Sequence, residues 1–535
     1  MKKTITAISA VIIITSLAAT LTLHGAPDYY VATNGNDSAT GTAPSNAWQT
    51  ISHAINAIPG STGTIHIAAG IYPERLHLTA AGRKNNRLIL QAASGTIIDG
   101  STLTVTSGMD ALISIENAGN IEISGFELRN FASSAAGHVP IGIYVHGACT
   151  NIILRRLVIH HVATDYDNGG DNVSGGDAHA IAVYGDNPSA AITNITINSV
   201  EIHDCRLGSS EALVLNGNVS GFEVSQCLIH DNNNIGIDFI GHEGTCSAPQ
   251  YDQARNGVCR SNTVSNICTL GNPAYREGSS YDRSADGIYV DGGRQIVIEQ
   301  NHVHNCDIAI EVASEHAGKS TSFITVRNNI LTHGYTGGIF CGGYNNQRGS
   351  TVNCTFTGNT LYHNNTAKDY SGEITLQYHI TNCVFRNNLI IALKNDGGDA
   401  VFFGGPGGSD TTPVNSSTDY NWFWSDESSS PSWRWGNSEF YSITDWRSAG
   451  HDINGFFGTD PLLKAPAQND FHLQSDSPAC DRGELRGDIG SRDIDGDPRT
   501  IGSAPDIGAD ETAPRQQGLN LRICNLHRHI LTTKQ

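Results

Sequence analysis

Three carboxylates, Asp238, Asp291 and Glu311, occupy matched places in short apolar segments, and acids brought together in this way can move protons. Aligned on their apolar residues, six segments read AIAVY from Ala180, ALVLN from Ala212, GIDFI from Gly236, GIYVD from Gly287, AIEVA from Ala309 and GIFCG from Gly338. Second and fourth positions are apolar throughout, so in an extended chain they face one way while the third and fifth face the other. The third positions are Ala182, Val214, Asp238, Tyr289, Glu311 and Phe340; the fifth are Tyr184, Asn216, Ile240, Asp291, Ala313 and Gly342. If the segments stack as neighbouring strands about 4.8 Å apart, the Cα atoms of Asp291 and Glu311 stand about 8 Å apart and those of Asp238 and Glu311 about 9.6 Å. Carboxyl pairs in that range suit cleavage of a glycosidic bond, with one protonated acid for the leaving oxygen and one ionised nucleophile or base. Asp291, Glu311 and Asp238 are therefore the expected catalytic residues. Tyr289 and Phe340 are expected to stack on sugar rings, and Asp286, Glu315, His316, His242, Glu243 and Tyr184 to bind substrate from the rim. The Asp493, Asp495, Asp497 run resembles part of a calcium loop, but Ala504 stands where the loop's bidentate Glu belongs, so a terminal turn is expected.

These segments belong to a repeat. Asn262, Asn301, Asn329, Asn359 and Asn388 recur at intervals of 39, 28, 30 and 29 residues, each at a bend between two apolar strands. Cys227, Val200, Leu157 and Phe126 fill the same slot upstream. A unit this short cannot bury its own apolar face and must stack on its neighbours. An Asn at each bend can bond backbone groups of its own turn and the next. The fold class expected is all-β: a right-handed, single-stranded parallel β-helix with an N-terminal helical cap and an irregular C-terminal cap.

In these features the chain resembles the pectate-lyase-like superfamily of right-handed parallel β-helix, carbohydrate-active proteins, over roughly Tyr29 to Glu511. A more local likeness joins GIYVD and AIEVASEHAG to the paired acid segments of β-helix β-xylosidases; it implies Asp291 as nucleophile and Glu311 as acid/base. The residues between the two acids differ, and no inserted β-sandwich is present. The leading expectation is a glycoside hydrolase acting on a plant, algal or microbial polysaccharide or oligosaccharide. The alternatives are a Ca2+-dependent lyase of a uronate polymer, with Asp238, Asp286 and Asp291 holding the ion and Lys319 or an Arg as base, and a noncatalytic glycan-binding surface protein. No cofactor or metal is expected for the hydrolase, Ca2+ for the lyase.

The chain has 535 residues, with 32 basic against 52 acidic residues and a formal charge of −20, which argues against nucleic acid or an anionic membrane as a partner. A monomer is expected. Residues 1–26 read as a signal peptide, two lysines followed by a short apolar run and small residues, implying a secreted or periplasmic protein. Residues 27–410 are expected to form the β-helix with its N-terminal cap, 411–511 the last coils and C-terminal cap, and 512–535 a tail. Ser45 to Pro59 is expected to be a helix with Trp48, Ile51, Ile55 and Ile58 on its buried stripe. Five tryptophans between Asp419 and Trp446 are expected to pack a cap. Cys246 and Cys259 flank an irregular loop and are the candidate disulfide, and the insertions Gly241–Val258 and Thr269–Ser284 are expected to wall a binding site.

Overall fold

The computed structural model describes residues 27–58, 63–79 and 87–513; the expected signal peptide and most of the tail lie outside them. The chain winds as a right-handed parallel β-helix. Each coil contributes strands to three long sheets, of 16, 13 and 13 strands, whose successive members pair in parallel over nearly their whole length. The inward positions Ile237, Phe239, Ile288, Val290, Ile310, Val312, Ile339 and Cys341 are fully buried and join one continuous core. A period-two strand can hide only half its side chains, so this inward stripe fixes the register, and the outward stripe is left for chemistry.

The bend between the first and second sheets is built by two adjacent residues. Ser261, Gln300, Asn328, Gly358, Asn387 and Tyr420 have φ of 54°, 58°, 53°, 64°, 56° and 58°, which turns the chain. The next residue is the ladder Asn. Asn329 Oδ1 accepts from the backbone and side-chain nitrogens of Asn301, both at 2.9 Å, while Asn329 Nδ2 donates to Ile298 O at 3.0 Å and Asn359 Oδ1 at 2.9 Å. The same bonds link Asn262 to Asn301 and Asn359 to Asn388, and the ladder runs two steps further than the repeat suggested, through Asn421 to Asp452. Coils accordingly continue to Phe456–Phe457. Upstream the slot is apolar: Phe126, Leu157, Val200 and Cys227 are buried there.

Both ends are closed. The N-terminal helix is Ile51–Ala57, shorter than Ser45–Pro59, because Asp37 Oδ1 accepts from Gln49 N and Thr50 N and holds that stretch extended until Thr50 caps the helix. Trp48, Ile51, Ile55 and Ile58 still face the first coil and are buried. At the other end Trp433, Trp435 and Trp446 are buried among Phe402, Phe403 and Phe423, while Trp422 stacks on Phe456 in a second buried cluster, so the tryptophan-rich segment packs as a cap. Asp493 Oδ1 accepts from Asp495 N and Asp497 N, tying a terminal turn. The fully buried Arg499 pairs with Glu511 and donates to Asn328 Oδ1, fastening that segment to the helix side. Cys246 and Cys259 are not joined: Cys259 points into the core and Cys246 packs in the loop near Asn187, and both thiols are free. Among the described residues no helix is long and apolar enough to cross a membrane.

Candidate active site

The predicted third column exists as one row across the sheet. Val214 is paired with Asp238, Asp238 with Tyr289, Tyr289 with Glu311, and Glu311 with Phe340. The fifth column is continuous except at Ile240, where strand pairing with the next coil has lapsed; Asp291 pairs onward with Ala313. Strict alternation fails at the small first residue of each segment. Asp286 pairs with Ile308 and Ile288 with Ile310, while Gly287 between them is left out. In two coils one carbonyl serves both nitrogens around this point, Glu373 O for Gly338 N and Ile339 N, and Ala212 O for Ala180 N and Ile181 N. A Cβ at Gly287 would stand 2.5 Å from Val303 and 3.1 Å from the Cys306 sulfur, so this position points inward, beside the core. This repeated break in alternation, with the register kept, turns the preceding residue outward, and Asp286 joins Tyr289 and Glu311 on the outer face.

Asp286, Tyr289, Glu311, Glu315 and Phe340 line a cavity of about 550 Å3, walled further by Tyr275, Asp282, Arg283, Tyr344 and Gln377. Its wall is the Thr269–Ser284 insertion, which is pinned rather than loose. Buried Asp307 accepts from Arg283 Nε at 2.5 Å, Thr269 N at 2.9 Å and Ala285 N at 3.2 Å. Asn272 Nδ2 donates to Gly208 O and Asn233 O at 2.8 Å each. Arg283 also lies over the Tyr335 ring at 3.9 Å, and Arg348 over Tyr344 at 4.5 Å.

The two acids share the cavity lining from neighbouring strands. Burial, then the charge of Glu315, pushes the Glu311 carboxyl up to about 8, against a hydrogen bond with Asp286. Asp286 is held well above the usual carboxylate range by burial and then by Glu311 and Asp238. Both shifts favour the protonated form, so the pair keeps protons at pH values where ordinary carboxylates have lost them. Asp286 Oδ1 is buried without a hydrogen-bond partner.

Asp291 and Asp238 lie beside this cavity rather than in its lining. Asp291 Oδ1 accepts from Glu315 N at 2.8 Å, and Asp291 Oδ2 stands 3.9 Å from His316 Nε2. Burial and Glu315 raise Asp291, and burial with Glu211 and Asp291 raises Asp238. Glu243, on the Gly241–Val258 insertion, receives Asn216 Nδ2 at 2.7 Å. His242 on the same loop is lowered by its burial and by Lys319. Tyr184 lies three coils before Asp286 in the sheet, 3.4 Å from His179 Nε2 and away from the cavity. Tyr275, Tyr344 and Gln377 complete the cavity without a sequence cue: two come from loops, and Gln377 stands just past a strand, Ile374–Leu376, two coils beyond Glu311.

Among proteins of known sequence, the protein YwoF of Bacillus subtilis (strain 168), described as uncharacterized, is 35% identical over 460 residues, which cover 85% of this chain and 93% of the relative. The chain belongs to the YwoF family. No family model matches it. Of solved structures, the GH136 lacto-N-biosidase of Eubacterium ramulus has a TM-score of 0.50 at 13% identity, over 72% of this chain and 66% of that one. Pectate lyase Pel9A has a TM-score of 0.44 at 16% identity, over 90% and 96%. The likeness to the lacto-N-biosidase is one of parallel β-helix fold, and YwoF shares most of the chain that builds it.

Proposed function

We propose that this member of the YwoF family is an exported glycoside hydrolase whose proton donor is Glu311. One observation carries the reading: two buried carboxyls, Glu311 and Asp286, share a cavity walled by Tyr275, Tyr289, Phe340 and Tyr344, and burial pushes Glu311 up to about 8. An acid that keeps its proton near neutrality can protonate a leaving glycosidic oxygen, and aromatic walls suit the apolar faces of sugar rings. Asp286, whose Oδ1 is unpartnered, is the second carboxyl of the pair and, once its proton is given up, the group available to the anomeric carbon or its attacking water. This moves to Asp286 the part that the β-xylosidase likeness gives to Asp291. Entry of the ring must part the two acids, because retaining and inverting pairs stand about 5 to 9 Å apart. The chemistry needs no metal at this pair. The β-helix neighbours, which include a lacto-N-biosidase and a pectate lyase, support a saccharide substrate as a class.

The test is a panel of polysaccharides and aryl glycosides with wild type, Glu311→Gln and Asp286→Asn. Reducing ends without ultraviolet absorption are expected, with both variants reduced at least about 10²-fold. An aryl glycoside with a good leaving group should partly rescue Glu311→Gln but not Asp286→Asn. Unsaturated uronate products would instead mark a lyase, and near-wild-type turnover in Glu311→Gln would reject the proposed acid.

A further inference from the structure

Beside the cavity, three residues from three separate segments converge. Glu243 comes from the loop after the strand Ile237–Ile240, Asp291 ends the strand Asp286–Asp291, and His316 follows the strand Ile308–Ala313. One carboxylate oxygen of each acid and one ring nitrogen of the histidine all lie within 4.8 Å of one another. We propose that this is a binding site for a first-row divalent transition metal.

The arrangement is that of oriented ligands rather than of an ion pair. His316 Nε2 is buried and has no hydrogen-bond partner, and its 3.9 Å from Asp291 Oδ2 is too long for a hydrogen bond. Two atoms each about 2.0–2.2 Å from one ion can stand at that spacing. Each carboxylate has one oxygen fixed by a donor, Asp291 Oδ1 by Glu315 N at 2.8 Å and Glu243 Oε2 by Asn216 Nδ2 at 2.7 Å, as outer groups do around metal ligands.

An independent observation concerns the residues around these ligands. Asp238 and Asn216, 2% and 1% exposed, each have a buried Oδ1 without a partner. Asn216 is the residue bonded to Glu243, and Asp238 lies in the field of Asp291 and Glu243. Buried polar oxygens are seldom left unpaired, and an ion, directly or through its water, would satisfy them. The imidazole sets the class. Ca2+ takes oxygen ligands, whereas one imidazole with carboxylates suits Mn2+ or Zn2+. Bound there, the ion offsets negative charge where the acids are densest. It also ties the Glu243 loop to the segment that places Glu315 at the cavity mouth, while taking no part in the proton transfer assigned to Glu311.

The experiment is calorimetric titration of the chelator-treated, dialysed protein with ZnCl2, MnCl2 or CaCl2. It is done in His472→Gln, which removes a second group of potential ligands at His472, Asp495 and Asp510. One saturable site for Zn2+ or Mn2+ is expected, with a higher melting temperature in the ion's presence. Glu243→Gln and His316→Gln should each weaken binding at least about tenfold. Glu243 is exposed, so its variant keeps the metal-free melting temperature and separates lost ligation from lost folding. Absence of saturable binding, binding unchanged in both variants, or Ca2+ bound more tightly than Zn2+ and Mn2+ would each overturn the proposal. The readout is ion binding without substrate, so its failure is distinct from failure of the hydrolase reading.

Discussion

The molecule buries polar side chains in two places and treats them in opposite ways. In the Asn ladder every amide is neutral, bonded to the coils on either side, and fully buried. On the outer face of the second 13-strand sheet, counted across that same stack of coils, Asp238, Asp286, Asp291 and Glu311 are nearly as buried, yet they face one another, and Asp238 and Asp286 each have an oxygen without a partner. Satisfied buried amides specify and stabilise a fold. Unsatisfied buried acids cost stability and hold protons at pH values where ordinary carboxylates have lost them. The difference marks which polar cluster serves architecture and which serves chemistry.

Breaking each side of that comparison should give different phenotypes. The largest effect is expected from Glu311→Gln, which should lower turnover at least about 10²-fold with its folded state intact, checked by activity and by thermal melting. Next, Asn359→Ala removes the acceptor of Asn329 N and Nδ2 and the donor to Val326 O and Asn388 Oδ1, and should cost about 3 kcal/mol in chemical denaturation without changing the pH dependence of activity.

A smaller effect sharpens the contrast. Glu311 is raised from 4.5 to about 8, so the unfolded chain loses this proton first. Stability from this group is therefore highest below about pH 4.5, falls as pH rises, and is lowest above about 8. Glu311→Gln removes that penalty and should stabilise the protein by on the order of 2 kcal/mol near pH 8 and not at about pH 4, as read from denaturation midpoints. Smallest, Phe340→Ala should raise KM several-fold, equivalent to about 1 kcal/mol, with little change in kcat, because it removes a stacking wall and no titrating group.

The ladder and the outward row of Asp238, Tyr289, Glu311 and Phe340 were legible in the sequence for the same reason: inward apolar positions cannot slip by one residue without exposing a whole stripe. Asn421 and Asp452 were missed because the tryptophan-rich segment hides the repeat that they continue. Asp286 was readable as a rim acid but not as the partner of Glu311. Simple alternation sends it inward, and only the break in alternation at Gly287, hinted at by the small residue opening every segment, turns it out. Tyr275 and Tyr344 come from loops whose path no local pattern dictates, and Gln377 from two coils further along.

The central claim, that Glu311 holds a proton at neutral pH, can be read without a substrate. Infrared difference spectra of wild type against Glu311→Gln, titrated from about pH 5 to 10, isolate its carboxyl C=O stretch. A protonated-carboxyl band present at about pH 7 and lost with a midpoint near 8 is the predicted result; a Glu311 already ionised at about pH 6 would contradict it.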